Sequence, residues 1–251
     1  METTKENLGI IVPAYNEEKT ISQVLDQILP LDFVGQVIIV DDASTDGTSD
    51  ILNSYEHPKI EIIKKRSNKG KTAAIKSALP HINTGIVLIL DADLEYDPQE
   101  LSYLCDPIWR NKADVVYGSR FLVRQASRVL YFYHYLANKS LTFICNLFTN
   151  KNMTDIESGY KAFRTPILQN IPITSSGFGF EVEVTASVSK TKARIYETPI
   201  SYYGRTYEEG KKINYKDGIL ALWYIFKYNL KSTRQTRQSI ETINAYLDKR
   251  I

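Results

Sequence analysis

The chain has 251 residues, enough for one large α/β domain or two small ones. Its 31 lysines and arginines nearly balance its 29 aspartates and glutamates, and the net charge of +2 argues against nucleic acid as a partner. The two cysteines show no disulfide framework or metal-ligand spacing, and residues 1–7 lack the apolar segment of a secretory signal, so we expect a cytoplasmic protein with a disordered N-terminus.

Short apolar runs alternate with amphipathic helical patterns through the first 120 residues. The runs predict five strands, Leu8–Val12, Val37–Val40, Ile60–Ile63, Ile86–Leu90 and Asp114–Tyr117. Because alternation of this length implies right-handed crossovers, we predict an α/β fold with a Rossmann-like, mostly parallel sheet and flanking helices.

Two apolar helices are predicted in the second half. Arg128–Phe148 is aromatic-rich but broken by polar side chains, and Ile219–Phe226 is short, so neither suits a membrane span of about 20 apolar residues. Each helix could lie on a membrane surface, pack on the sheet or form a dimer interface. Residues 231–251 are polar and predict a peripheral helix or a tail.

Polar residues follow the first two predicted strands. Pro13 ends the first strand, Tyr15 can stack on a nucleotide base, and Glu17 can bind ribose or base groups, although an ordinary strand-to-helix turn explains this segment equally well. After the second strand, Asp41 or Asp42 can accept hydrogen bonds from a base edge. Helix capping does not explain two adjacent carboxylates there.

Asp91 and Asp93 follow the fourth apolar run. Side chains alternate along extended backbone, so these two carboxylates point the same way. Ligands bind at the carboxyl edge of such a sheet, and two close carboxylates there require a cation, for which an oxygen-binding divalent ion is suited. The diphosphate of a nucleotide sugar would supply further oxygens, which indicates a glycosyltransferase.

The segment Asn68–Thr72 precedes the third predicted helix and contains two lysines and a glycine. It is similar to a phosphate-binding turn but lacks the P-loop spacing. We therefore predict a solvated basic turn.

The motifs, in their order and spacing, carry a family resemblance. They are Pro13–Glu17, Asp41–Gly47, Asp91–Glu95, Gly118–Arg120, Asp155–Arg164, Gly177–Glu181 and Glu197–Ile200, followed by Arg205 and 210–212. Together they resemble family 2 glycosyltransferases of the GT-A fold, most of all the dolichol- or polyprenyl-phosphate mannose synthases. The resemblance implies one domain at 8–230, with a nucleotide-sugar half at 8–120 and an acceptor half carrying acceptor-side helices at 121–230.

One segment gives conflicting signals. Residues 182–188 alternate apolar and other side chains strictly, which predicts a strand. The resemblance implies a helix at this position, and we adopt the helix.

The resemblance also implies a role for each matching residue. The base and ribose are assigned to Pro13, Tyr15, Glu17, Val40 and Asp42. The diphosphate and a divalent metal, Mg or Mn, are assigned to Asp91, Ala92, Asp93 and Glu95, with all but Ala92 as metal ligands. Phosphate groups are assigned to Arg120, Arg205 and one of Lys211 or Lys212, and Asp155 lies in the acceptor-side motif. The expected catalytic residues are Asp93, Arg120, Asp155 and Arg205.

The chain departs from the mannose synthases at two places. Glu95 stands where they carry glutamine, which adds negative charge to the expected metal site. Gly-Lys-Lys at 210–212 replaces the usual Gly-x-Ser-Lys, so the phosphate-binding lysine is fixed only to within a position.

The function implied is inverting transfer of a hexose from a nucleotide sugar of GDP-mannose or UDP-glucose type to a polyprenyl or dolichyl phosphate. That phosphate is already ionised and needs no general base. A sugar hydroxyl acceptor would need one, for which Asp155 or Glu157 is the candidate. A non-catalytic nucleotide-sugar-binding subunit remains an alternative. Peripheral contact with the inner membrane face, a homodimer and a membrane subunit are further expectations.

Overall fold

The computed structural model describes residues 7–122, 128–129, 131–204, 215–231 and 233–250. Within these residues, seven strands form one sheet in the order β3-β2-β1-β4-β6-β5-β7. They are β1 Leu8–Ala14, β2 Val34–Asp41, β3 Ile60–Lys64, β4 Ile86–Ile89, β5 Val115–Ser119, β6 Lys161–Arg164 and β7 Ile195–Pro199. All neighbours pair in parallel except β6, which is antiparallel to β4 and β5. The predicted mostly parallel α/β sheet is confirmed.

Nine α-helices are present among the described residues. They are α1 Ile21–Ile28, α2 Thr48–Asn53, α3 Lys71–Ala78, α4 Leu101–Trp109, α5 Phe132–Thr149, α6 Thr165–Gln169, α7 Phe180–Val188, α8 Tyr215–Leu230 and α9 Arg234–Asp248. Helix α5 begins at Phe132 and not at the predicted Arg128, because Tyr131 has an extended backbone. None of these helices is both long and apolar enough to cross a membrane.

Helix α7 resolves the conflicting pattern at 182–188 in favour of the helix. Eight of its nine residues are buried, including Glu181, Glu183 and Thr185. A helix buried on all sides has no polar face, so its apolar residues do not follow the helical period. The alternation that predicts a strand is therefore wrong here.

The hydrophobic core lies on both faces of the sheet. Along β1, Ile10 and Val12 belong to the cluster packed beneath α1 and α4, whereas Ile11 belongs to the cluster beneath α3 and α7. Burial on both faces explains why β1, β2 and β4 are continuous apolar runs. Strand β1 continues through Pro13, which lies past its last pairing with β4 at Ile11–Ile89 and so is accommodated at the strand end.

Candidate active site

The carboxyl ends of β1, β2 and β4 meet at one edge of the sheet. Ala14 pairs with Asp41, and the amide of Leu90 donates to the carbonyl oxygen of Ile11 over 3.0 Å. The loops after these strands are therefore neighbours, as ligand-binding loops of open α/β sheets are.

The turn after β1 is bound to the loop after β2. The Asn16 amide donates to Ser44 Oγ over 3.0 Å, and the Glu17 amide donates to Thr48 Oγ1 over 2.8 Å. Tyr15 is exposed at this edge, with Pro13 and Glu17 half-buried beside it. All three residues lie at the carboxyl edge of the sheet, and their contact with a nucleotide stays a prediction.

Val40 and Asp42 are both buried at this edge. The Val40 side chain is fully buried in the core. The Asp42 side chain is also buried; its Oδ2 accepts from the amides of Lys69 and Gly70 over 2.9 and 2.6 Å, and its Oδ1 lies 2.7 Å from Lys65 Nζ. Asp42 thus holds the loop before α3, and the nucleotide contacts of both side chains stay predictions.

Lys71 corrects the prediction of a solvated basic turn. Its side chain is only 12% exposed, and Nζ lies 2.8 Å from Asp91 Oδ1, 2.9 Å from Asp91 Oδ2 and 2.9 Å from Glu181 Oε1. Burial by itself would lower the pKa of Lys71, but the two carboxylates outweigh burial and raise that pKa above its ordinary value. Lys71 is therefore a charged ammonium joining the loop after β4 to the start of α7.

Backbone contacts fix the position of Lys71. Gly70 has a φ of +82° and lies against Gly177, while the Thr72 amide and hydroxyl both donate to the Gly177 carbonyl, over 3.2 and 2.8 Å. A β-carbon at Gly159 would collide with Asp91 Oδ2. Glycines thus allow three separate loops to approach the Lys71–Asp91 pair.

The three predicted metal ligands are not gathered in this structure. Asp93 Oδ1 accepts from the Glu95 amide over 3.2 Å, and Glu95 Oε2 accepts from the Tyr202 hydroxyl over 3.0 Å. Ala92 is buried. Across the described ranges, no three side chains of His, Cys, Asp or Glu form a group able to hold a metal. In this structure the Glu95 carboxylate binds Tyr202, and its role as a metal ligand stays a prediction.

Arg120 and Asp155 form a bidentate ion pair. Arg120 Nε donates to Asp155 Oδ2 over 2.7 Å, and Nη2 donates to Oδ1 over 2.8 Å. Asp155 is fully buried, and although burial raises its pKa, Arg120 more than offsets this and keeps the pKa of Asp155 below the ordinary value. Asp155 therefore orients Arg120, and its predicted role as a general base does not fit, because both its oxygens already accept from a guanidinium.

A second buried cation lies next to this pair. Lys161 Nζ donates to the carbonyls of Ile156, over 2.9 Å, and Ser158. Burial, reinforced by Glu181, raises the pKa of Glu157 to about 7, and Glu157 Oε1 is buried without a hydrogen-bond partner among the described residues. Burial also lowers the pKa of Lys161, to about 8.

Arg205, Lys211 and Lys212 lie outside the described residues. The segment before them is bound to the loop after β4: the Tyr203 amide donates to the Glu95 carbonyl over 2.8 Å, and Tyr96 forms a β-bridge with Tyr202. The Arg120 guanidinium carbon lies 5.2 Å from the Tyr202 ring centroid. Arg120, Asp155 and the loop carrying Asp91 are thus connected through Tyr202.

Helices α5 and α8 present an exposed apolar face, which we call the aromatic surface. They are in contact through Phe148 and Phe226, whose ring centroids are 5.3 Å apart. Its exposed members are Tyr131, Phe132, Tyr133, Tyr135, Leu136, Phe143, Leu147, Phe148, Ile219, Leu220, Trp223, Phe226 and Leu230. At its α5 end, Tyr135 packs against Phe121, with centroids 5.3 Å apart, directly after Arg120. The aromatic surface is therefore continuous with the Arg120 site.

The family model of glycosyl transferase family 2 matches residues 9–171, which is more than half of the chain. The chain belongs to this family. The predicted family and GT-A fold are confirmed.

Relatives of this glycosyltransferase include enzymes with lipid phosphate acceptors in their names. It is 29% identical over 213 residues to the undecaprenyl-phosphate mannosyltransferase of Micrococcus luteus, covering 80% of this chain and 85% of that protein. It is 27% identical over 229 residues to the UDP-N-acetylglucosamine–dolichyl-phosphate N-acetylglucosaminyltransferase of Methanococcus voltae, covering 84% and 91%. It is 30% identical over 214 residues to the glycosyltransferase AglJ of Haloferax volcanii, covering 80% of this chain but 65% of that protein.

A solved structure shows the same fold. The glucosyl-3-phosphoglycerate synthase of Mycobacterium tuberculosis, in complex with Mn²⁺, UDP and glucosyl-3-phosphoglycerate, superposes with a TM-score of 0.69 at 18% identity. The superposition covers 91% of this glycosyltransferase and 82% of the synthase.

Sequence reasoning assigned no role to four side chains of the site in this glycosyltransferase, namely Lys71, Lys161, Glu181 and Tyr202. Lys161 and Glu181 carried a signal, because each lies in a motif of the family resemblance, Asp155–Arg164 and Gly177–Glu181. The signal at Lys71 was weaker and consisted only of the glycine that precedes it.

Proposed function

We propose that this glycosyltransferase moves a hexose from a nucleotide sugar to a polyprenyl or dolichyl phosphate, with inversion and with a divalent metal ion. The observation that carries the proposal is the continuity of the aromatic surface with Arg120. A lipid acceptor needs an apolar surface for its chain beside a cation for its phosphate, and this arrangement offers both. The names of the Micrococcus and Methanococcus relatives support the lipid phosphate acceptor.

The donor side of the proposal rests on Asp91 and Asp93. Carboxylate oxygens are the ligands that Mg²⁺ and Mn²⁺ take, and the Lys71 ammonium bound to both Asp91 oxygens is consistent with a position that favours positive charge. Asp91 and Asp93 would hold the metal ion, which when bound neutralises the charge on the departing nucleoside diphosphate. The Mn²⁺ and UDP of the Mycobacterium synthase support this assignment.

Residues of the chain itself supply the rest of the chemistry. Tyr15 and Glu17 would bind the nucleoside. Arg120, oriented by Asp155, would hold the acceptor phosphate close to the donor, because a cation is needed to bring one anion beside another. Arg205 and Lys211 or Lys212 would add positive charge there. No general base is required, which agrees with the engagement of Asp155 by Arg120.

The aromatic surface also supports contact with a membrane. Large exposed apolar surfaces usually mark contact with a partner or a membrane. Helix α5 has no acidic residue and one lysine, Lys139, whereas α8 carries Asp217 in its first turn and Lys227 in its last turn. Apolar helices with basic residues suit an anionic membrane surface, so we place the enzyme peripherally at the inner face of the membrane.

Radiolabelled donor assays with purified protein test the proposal. GDP-mannose, UDP-glucose and UDP-N-acetylglucosamine would each be offered with polyprenyl phosphate or with free sugars, with Mn²⁺ or with a chelator. We expect metal-dependent transfer to polyprenyl phosphate, reduced at least about 100-fold in Asp93→Asn. Asp106→Asn, which alters an exposed ion pair on α4, is the matched control. Transfer only to free sugars, or donor binding without any transfer, would contradict the proposal.

A further inference from the structure

Lys71 neutralises the carboxylate to which the metal ion is assigned. It contacts both oxygens of Asp91 and one oxygen of Glu181, within 2.9 Å in each case. A lysine ammonium and a divalent ion cannot both occupy the same face of one carboxylate, because like charges repel strongly at such distances. Binding of the metal ion to Asp91 therefore requires Lys71 to move.

We propose that Lys71 is an exchangeable counter-ion of Asp91, a positioning residue that holds this carboxylate until the divalent ion binds and then pairs with Glu181 alone. The proposal rests on the metal role of Asp91 in the proposed function. It adds two residues, Lys71 and Glu181, whose opposing charges set how tightly the site takes its metal.

Glu181 can accept a second contact from the Lys71 ammonium. It lies in the first turn of α7, is only 4% exposed, and its Oε2 is buried without a hydrogen-bond partner among the described residues. A buried carboxylate oxygen without a partner is costly, so a second contact with the ammonium would stabilise Glu181. Glu181 thus has an unused acceptor at the place where Lys71 would go.

The backbone around Lys71 would stay in place during this exchange. Its loop is held by Asp42 on one side and by Gly177 on the other. The α7 start that carries Glu181 is adjacent to the same Gly177 segment. Only the flexible Lys71 side chain has to change its contacts. Because its backbone stays in place, its ammonium group remains within reach of both carboxylates.

Mn²⁺ binding without nucleotide or lipid tests the exchange directly. The free Mn²⁺ concentration would be measured by electron paramagnetic resonance during titration of the full-length protein. We expect Lys71→Met to bind Mn²⁺ about tenfold more tightly than the unaltered chain, because a competing charge has been removed. Glu181→Gln should bind Mn²⁺ more weakly, because the displaced Lys71 then has no carboxylate to receive it. A merely structural role would weaken binding in both variants.

Two further variants serve as controls for this test. The double variant Lys71→Met with Glu181→Gln removes a cation and an anion together, so it leaves no lone buried charge. It therefore keeps the test possible if Lys71→Met alone fails to fold. It should still bind Mn²⁺ more tightly than the unaltered chain. Lys69→Met alters an exposed lysine of the same loop and should leave Mn²⁺ binding unchanged.

Separate outcomes overturn the exchange and the metal site. If the unaltered chain binds Mn²⁺ and the double variant binds it no more tightly, the exchange is refuted while the proposed metal site stands. If Mn²⁺ binds to none of these proteins, either alone or with GDP or UDP present, the metal role of Asp91 fails and the exchange with it.

Discussion

The Tyr202 hydroxyl donates a hydrogen bond to Glu95 Oε2 over 3.0 Å. The next amide along the chain, that of Tyr203, donates to the Glu95 carbonyl over 2.8 Å. The segment after β7 is therefore held to the loop after β4 by both the side chain and the backbone of Glu95. This contact gives Glu95 a structural task that is separate from its predicted role as a metal ligand.

Glu95→Gln should keep its activity. A glutamine carbonyl oxygen accepts from the Tyr202 hydroxyl as a carboxylate does, so we expect kcat/KM to stay within about threefold and the Mn²⁺ concentration dependence to be unchanged. Tyr202→Phe removes the donor and should lower stability by about 1 kcal/mol, measured by urea unfolding. If Glu95→Gln instead needs much more Mn²⁺ for half-maximal rate, Glu95 is a metal ligand after all.

Asp155→Ala should be strongly destabilising. It leaves the Arg120 guanidinium, only 12% exposed, without its bidentate partner, and loss of one member of a buried pair costs about 3–5 kcal/mol. The free energy of unfolding in urea measures this loss. Asp106→Ala breaks the exposed pair with Arg110 on α4 and should change stability by less than about 1 kcal/mol. Equal effects of the two substitutions would show that the Arg120–Asp155 pair is not buried in solution.

The aromatic surface should bind lipid vesicles. Phe143→Ser with Leu147→Ser replaces two side chains that are 63% and 67% exposed, so we expect flotation with anionic vesicles to fall several-fold while the melting temperature barely changes. Tyr103→Ser, an equally exposed aromatic on α4, serves as the control. If flotation persists and the double variant converts a dimer to a monomer, the surface is a contact between two copies of the chain.

The raised pKa of Glu157 predicts that the stability of the fold depends on pH. Its pKa is 4.5 ordinarily and about 7 in the fold, chiefly because of burial, so the folded chain holds an extra proton between these values. Stability contributed by this group therefore falls as the pH rises from about 4.5 to about 7. Glu157→Gln should remove that fall and be the more stable protein above pH 7, as measured by urea unfolding across this range. An unchanged pH profile in Glu157→Gln would show that its carboxyl titrates normally.

The carboxyl edge of the sheet could be predicted from the sequence, whereas the pairing of the buried charges next to it could not. Strands β1, β2 and β4 are buried on both faces and read as apolar runs, so their carboxyl ends were predicted to within two residues. Strand β6 was missed, because its four residues include two charges, Lys161 and Arg164. Lys161 donates to the carbonyls of Ile156 and Ser158, which are close in the sequence, whereas Arg164 donates to the distant residues Ile108 and Asn111. Strand β7 was missed because it is only partly buried and mixes polar with apolar residues.

The sequence also does not predict which residues far apart in the chain pair with each other. Arg120 and Asp155 are 35 positions apart, and Lys71 lies 20 positions from Asp91. Each motif was visible by itself, but nothing in the local pattern states that Lys71 is buried or that Asp42 accepts from the loop before α3. The motifs located the site, and only the fold shows which charges are already paired.

The reversed strand β6 has a further consequence for how this chain folds. It follows the first five strands in the sequence yet lies between β4 and β5 in the sheet. A fragment ending near residue 120 would therefore lack the strand that joins β4 to β5, and both would be left with bare edges prone to association. We therefore expect that residues 8–120 are not a module that could be exchanged between enzymes alone.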